Sequence, residues 1–311
     1  MASFNIIIPS YGRASDLRRC LLAIQRQTMT DFEVLCVCRV ADEATRICLQ
    51  EFHATDPRMR EVLVEKPGLV AAMNRGFAYV HAAYVTFTDD DSEAPSHWLQ
   101  TLMDHFSSHP ECGAAGGPDR LQVLNKSFSN PPPAKKVGVY SWTGKWHATH
   151  HCSILEDHLR VSILKGVNMT YRHELIHKLD IGEGLKGEGS QVGTEPGFAA
   201  LVKSQGKELH FLRDAWVLHH CAPRQESEDR KNYSTEFALN TTYNYGYTLW
   251  RYQPLLLSSI VQLRQIIIGS RHIPGLLRIP FARKSPSVSM NHTKASLSGA
   301  WNGFCARFSE S

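Results

Sequence analysis

No C-x-x-C pair occurs among the eight cysteines, Cys20, Cys36, Cys38, Cys48, Cys112, Cys152, Cys221 and Cys305, so zinc-finger spacing is missing. Scattered cysteines of this kind read as the reduced thiols of a cytosolic protein. Neither familiar glycine-rich phosphate loop is present, which argues against a P-loop or a dinucleotide fingerprint. The N-terminus lacks a basic stretch followed by a long apolar core, so no signal peptide is expected. Net charge is small, with 34 Lys and Arg against 30 Asp and Glu, or +4 overall. That excess is too weak to argue for nucleic acid, whereas an anionic small substrate or an anionic membrane surface fits it. The strongest apolar run, Pro254 to Gly269, is short and broken by Gln262, Arg264 and Gln265, which speaks against a bilayer span.

What is present is ordinary globular material. The chain has 311 residues, 42% hydrophobic and 21% charged, enough for a large core in one or two domains. Apolar runs at Phe4 to Ile8, Glu33 to Val37 and Val62 to Glu65 read as buried strands. Helical spacing at Asp16 to Gln27, Glu43 to Phe52 and Val70 to His81 alternates with them. Strand and helix in short alternation predict an α/β fold with a mostly parallel sheet flanked by helices. A helix over His97 to Phe106 follows, then strands at Cys112 to Gly117, Leu164 to Tyr171 and Phe211 to His219. A helix starts at His173 and another covers Phe198 to Ser204.

One stretch organises the rest: Tyr84-Val85-Thr86-Phe87-Thr88-Asp89-Asp90-Asp91. A short β-forming run ends in three carboxylates, at the strand edge where open α/β sheets bind ligands. Adjacent acids repel one another unless a positive group joins them. A divalent cation, magnesium or manganese, suits oxygen ligands, with a substrate phosphate completing its shell. The alternative is an acidic turn in which Asp91 caps the helix beginning near Pro95.

Two later stretches also have two readings each. Ser141 to His151 mixes Trp142, Trp146, His147, His150 and His151 around a glycine. Flat rings cover the apolar faces of sugars, so Trp142, Trp146, His150 and His151 are candidates for an acceptor surface; the alternative is a core cluster. Pro254 to Lys284 runs from apolar to basic, with Arg264, Arg271, Arg278, Arg283 and Lys284. It reads as a segment lying on an anionic bilayer or as a buried helix. Ser285 to Ser311 is Ser-rich and reads as a loose tail.

Taken in order, these pieces resemble the family 2 glycosyltransferases, which have the GT-A fold. Ile8-Pro9-Ser10-Tyr11-Gly12-Arg13 is similar to the family's strand-to-turn at the nucleotide, and Lys66 to Gly76 to the segment before the metal strand. Phe87 to Asp91 resembles the DXD motif, Gly187 to Glu195 the stretch with the catalytic base, and His219 with Ala222-Pro223-Arg224 the late metal histidine and its basic neighbour. The resemblance covers residues 3 to 225. It departs at two places: Cys38-Arg39 stands where many relatives carry an acidic pair, and Thr194-Glu195 where they carry Glu-Asp.

The resemblance implies inverting transfer from a nucleoside-diphosphate sugar, first of all a UDP-sugar, to an acceptor hydroxyl of a polysaccharide, glycolipid or cell-envelope glycan. It places Pro9, Ser10, Tyr11, Arg13, Arg39, Asp42, Pro67, Gly68, Asn74, Asp89, Asp90 and Arg224 at the donor. It places Asp89, Asp91 and His219 at manganese or magnesium, and Glu195 as the base. His219 also reads as a plain strand-end histidine, and Glu195 as a helix N-terminal acid favoured by the dipole. The rival readings are a sugar-nucleotide-binding protein without turnover and a membrane-associated assembly factor. The expected organisation is a catalytic domain over 1–225, a C-terminal helical region over 226–284, with possible membrane contact, and a tail over 285–311. The expected location is the cytoplasm, including the inner face of the cell membrane.

Overall fold

The computed structural model describes residues 2–122, 131–187, 191–221, 235–269, 275–277 and 286–309. The chain opens with β1 (Phe4–Ser10), α1 (Ala14–Gln25), β2 (Phe32–Arg39), α2 (Glu43–Thr55), β3 (Met59–Val64), α3 (Leu69–Phe77) and β4 (Tyr84–Thr88). Next come β5 (Ser92–Glu93), α4 (Trp98–Ser108), β6 (Cys112–Gly116), β7 (Asp119–Leu121), β8 (Val139–Tyr140) and β9 (Trp146–His147). Then follow β10 (His158–Val161), β11 (Asn168–Arg172), α5 (His173–Ile176), α6 (Glu195–Ser204), β12 (Glu208–Leu212) and β13 (Val217–His219). Three helices end the chain: α7 (Thr235–Tyr252), α8 (Leu255–Ile267) and α9 (Pro286–Ser309).

An eight-stranded sheet in the order β10-β12-β6-β11-β4-β1-β2-β3 forms the frame. The β4-β1-β2-β3 half is parallel, while β11 runs antiparallel to both β4 and β6. Phe4, Ile6 and Ile8 are fully buried on one face of β1 and pack with Leu17 and Leu21 of α1 and Cys36 of β2. Ile7 is fully buried on the other, so β1 is a central strand with both faces covered, as its unbroken apolar run implies. Asn5 is polar at this depth because it ties the chain entering β4: its Oδ1 accepts from the backbone N–H groups of His81 and Ala82, each at 2.9 Å.

The sequence predicts a single strand over Phe211 to His219, and the structure divides it. β12 stays in the large sheet, whereas β13 joins a three-stranded sheet in the order β5-β13-β7. Residues 213–216 make the crossing, with Ala215 offering its carbonyl to Asn168 Nδ2 at 2.7 Å. The predicted strand over Leu164 to Tyr171 begins later, at Asn168, after a turn through Gly166 and Val167 closed by the Lys165–Asn168 bridge.

The chain divides into two compact units: Met1–Val139 with Ala148–Ile181 and Leu201–Pro223, and Tyr140–His147 with Gly182–Ala200 and Arg224–Ser311. The second unit therefore draws segments from the middle of the sequence as well as its end. Its clearest feature is the pair α7 and α9, the latter formed where the serine-rich composition suggests a loose tail. Small residues allow their backbones to touch. A Cβ on Gly299 would lie 2.1 Å from the Tyr243 carbonyl oxygen, and one on Gly303 2.1 Å from that of Tyr247. Gly299→Ala is expected to cost about 1–3 kcal/mol by forcing these helices apart. Thermal unfolding of the variant against wild type reads this as a lowered melting temperature; an unchanged one would show that α7 and α9 do not meet at Gly299.

Candidate active site

The small sheet explains why residues far apart in sequence converge. His219 of β13 is in register with Ser92 of β5 on one side and Leu121 of β7 on the other. Ser92 directly follows the three carboxylates, and β7 begins with Asp119. Asp89, Asp91 and His219 thus bring one ligand atom each to within 4.8 Å of one another. His219 Nε2 lies 3.4 Å from Asp91 Oδ1, and its Nδ1 lies 3.6 Å from Asp119 Oδ2. The helix after the triplet starts at Trp98 with His97 at its N-cap, so Asp91 does not cap it.

Asp90 points elsewhere. It is fully buried, accepts from Ser10 Oγ at 2.7 Å and pairs with Arg13 Nη2 at 2.8 Å. Arg13 also stands 3.5 Å from Asp91. The β1 turn and the β4 carboxylates are therefore one construction. Asp119, by contrast, pairs with Lys165, while its Oδ1 is buried with no hydrogen-bond partner among the described residues.

The charges respond to this crowding. Burial, then the neighbouring Asp91, pushes the Asp89 carboxyl up. Burial lifts Asp90 to about 7 against the pull of Arg13 and Ser10. Burial opposes a charge on His219, but Asp119, Asp91 and Asp89 outweigh it and raise it to about 10. Burial also works against a charged Asp119, yet His219 and Lys165 hold it low. In the metal-free protein the His219 imidazolium supplies a positive charge the acids require. Two carboxylates and one imidazole beside a buried, unpartnered carboxylate oxygen form a donor set that fits a hard divalent cation. The proton on His219 must leave before its nitrogen can ligate.

Some of the other donor candidates lie around the same strand ends or hold them. Tyr11 is half exposed, with the Arg39 guanidinium 5.6 Å from its ring centre. Asp42 caps α2 through Thr45, and its Oδ2 also accepts from Gly12 N–H at 2.6 Å, fastening the β1 turn. Pro9 lies within β1. Pro67 is exposed and Gly68 is the N-cap of α3 at φ 112°. Asn74 does not face the carboxylates: it bonds both backbone groups of Ile181, accepting its N–H at 3.1 Å and donating to its carbonyl at 2.9 Å. Cys38 is buried, and its thiol lies 3.9 Å from the Glu61 carboxylate. Arg224 lies outside the described residues.

Among the acceptor candidates, His150 is buried, with its Nε2 3.0 Å from the Ile163 carbonyl and its ring against Phe211; that burial removes it from any acceptor surface. His151 is partly exposed in the same unit. Trp142 and Trp146 belong to the other unit, the first 87% exposed and the second packed on Tyr140 at 4.7 Å. Glu195 opens α6, also in that unit, and lies 3.5 Å from the Thr194 hydroxyl. Sequence reasoning missed Asp119 and Lys165. Asp119 follows Gly116-Gly117-Pro118 at the exit of a small-residue strand, as Asp89 follows its own strand, but nothing local ties it to His219.

This is the architecture of a GT-A glycosyltransferase. Residues 5–159 match the family described as glycosyl transferase family 2, and the chain belongs to that family. A glycosyltransferase named GlyA from Streptococcus pneumoniae serotype 4 is 33% identical over 239 residues, 67% of this chain and 34% of that protein. A GalNAc(5)-diNAcBac-PP-undecaprenol beta-1,3-glucosyltransferase from Campylobacter jejuni is 30% identical over 33% of this chain and 34% of its own length. The matched stretch thus spans about a third of these curated relatives. Among solved structures, residues 1–349 of S. aureus TarS in complex with UDP-GlcNAc superpose with a TM-score of 0.63 at 14% identity, covering 96% of this chain and 82% of that one. A mannosyltransferase from Pyrobaculum calidifontis in complex with GDP-Man and Mn2+ gives 0.58 at 15% identity, covering 98% and 84%. At these identities the likeness is one of fold.

Proposed function

We propose that the protein transfers a sugar, with inversion, from a nucleoside-diphosphate sugar to an acceptor hydroxyl. The observation that carries this reading is the convergence of Asp89, Asp91 and His219 beside Asp119, at the strand edge of a chain of this family. Relatives that bind GDP-Man with Mn2+ or UDP-GlcNAc support a donor of this class. A bound divalent cation, manganese or magnesium, would neutralise charge developing on the departing diphosphate. Asp89, Asp91 and His219 would hold it. Arg13 and Ser10 fix Asp90, which keeps the β1 turn against the carboxylates. Glu195 would take the proton of the attacking hydroxyl. A catalytic region over 1–225 with a helical extension remains the functional division we favour. Release of UDP or GDP from a panel of sugar nucleotides, with and without manganese, tests the function: metal-dependent release on at least one donor is expected. Binding without release from any of them, acceptor present or absent, would instead establish a binding module.

A glycan or lipid-linked acceptor at a membrane surface is the second part of this proposal. No helix among the described residues is long and apolar enough to cross a membrane. α8, however, is turned inside out: it buries Ser258 and Gln262 and exposes Leu255, Leu256 and Leu263 at 41%, 75% and 58%. Exposed leucines on a mildly basic protein suit an anionic lipid surface. Arg271, Arg278, Arg283 and Lys284 lie outside the described residues. The full-length protein is expected to co-sediment with anionic vesicles at low salt and to be released at high salt. Leu256→Glu with Leu263→Glu should abolish this; equal sedimentation of the variant would remove α8 from the contact.

A further inference from the structure

Four histidines gather away from the carboxylates, on one face of the large sheet near its edge. His105 and His109 stand one turn apart at the end of α4, the second as its C-cap. His158 lies on the edge strand β10 and His210 on its neighbour β12. The antiparallel register pairs His158 with Leu212 and Arg160 with His210, so the two histidines share a face by the period of two. The rings meet: His105 and His109 stack at 4.0 Å, His158 and His210 at 4.6 Å, and His158 lies 5.0 Å from both His105 and His109.

Their hydrogen bonds assign the ring nitrogens. Glu208, a carboxylate that can only accept, stands 3.0 Å from His210 Nε2, so that nitrogen carries hydrogen. In the neutral ring His210 Nδ1 then accepts from His105 Nε2, at 2.8 Å. His105 is left with a lone pair on Nδ1. His109 Nδ1 lies 3.1 Å from the His105 carbonyl and donates to it, which leaves its Nε2. His105 and His109 thus each give one N–H to a protein acceptor and keep the other nitrogen open, the arrangement that orients metal-binding histidines. His105, His109 and His158 can bring one nitrogen each to within 4.8 Å of the others. All three are only partly buried, so an ion has a path in. A second grouping, His105 and His210 with Cys112, suits a metal less: the Cys112 thiol is fully buried and donates to the Ala114 carbonyl at 3.2 Å. Plain packing does not account for the cluster, since four imidazoles side by side forgo apolar contact and repel one another once charged.

We propose that His105, His109 and His158 bind a zinc-class divalent ion that clips the end of α4 to the edge strands, with His210 and Glu208 as positioning residues behind His105. Imidazole ligands select this class over the hard cations suited to carboxylates. The site uses none of the donor-site residues and does not depend on the transferase reading.

The test uses tag-free, full-length protein stripped by chelator. Cobalt, a visible stand-in for zinc, should give the absorption bands of a low-symmetry imidazole site, and added zinc should bleach them. His109→Gln and His158→Gln should each lose those bands and one zinc equivalent by calorimetry, while keeping the wild-type affinity for manganese with UDP or GDP. Glu208→Gln should retain the zinc equivalent but weaken it about 10- to 100-fold, as loss of an outer hydrogen-bond partner does. His158 is on an edge strand and partly exposed, so its variant stays interpretable if His109→Gln folds poorly. Unchanged zinc stoichiometry and affinity in His158→Gln would overturn the site.

Discussion

Glu195→Gln is expected to bind donor almost as wild type does and to lose transfer by about 100-fold or more. The amide keeps the shape of the side chain but cannot take a proton, so the loss falls on turnover and not on donor affinity. Glu195 begins α6, where the helix dipole favours a negative charge. That placement suits an acidic side chain whatever its role. It also sharpens the test, because a purely structural helix-end acid would lose stability on substitution and leave turnover alone. Single-turnover transfer and donor titration on the same preparation separate the two. Near-wild-type turnover with the true acceptor removes Glu195 from the chemistry.

Asp91→Asn is expected to abolish the gain in nucleotide affinity that manganese confers. The loss should exceed the roughly 10- to 100-fold typical of removing an outer partner, because a direct carboxylate ligand is lost. The fold should survive, since the substitution relieves repulsion among Asp89, Asp90 and Asp91. Ser10 and Arg13 still hold Asp90 in place. His219 loses its neighbour at 3.4 Å but keeps Asp119. Circular dichroism and melting of the metal-free variant check the fold, and calorimetry with UDP or GDP reads the affinity. Equal nucleotide affinity with manganese in variant and wild type would remove Asp91 from the metal.

The parallel half of the sheet was legible because β1, β2 and β4 are buried on both faces and read as unbroken apolar runs. The acids of β4 were legible for a related reason: a charged triplet directly after a buried strand has few places to go. Asp119 was not, since the short β7 leaves no periodicity and its meeting with His219 depends on pairing across 98 residues. The break between β12 and β13 was hidden because Ala215 and Val217 are buried and Trp216 partly so, which lets two strands in different sheets read as one. α9 was misjudged from composition; its serines and glycines serve close approach to α7, a tertiary fact that local polarity does not encode. The histidine cluster leaves no spacing signal, because its members are split between a helix end and two strands far along the chain.

The donor site is tested most directly by titrating UDP and GDP into the full-length protein with manganese, with magnesium and with chelator. Saturable binding of one nucleoside diphosphate, present with metal and lost with chelator, is expected from the grouping of Asp89, Asp91 and His219. Failure of both nucleotides to bind in the presence of either metal, or equal affinity in chelator, would contradict a metal-dependent donor site at these residues.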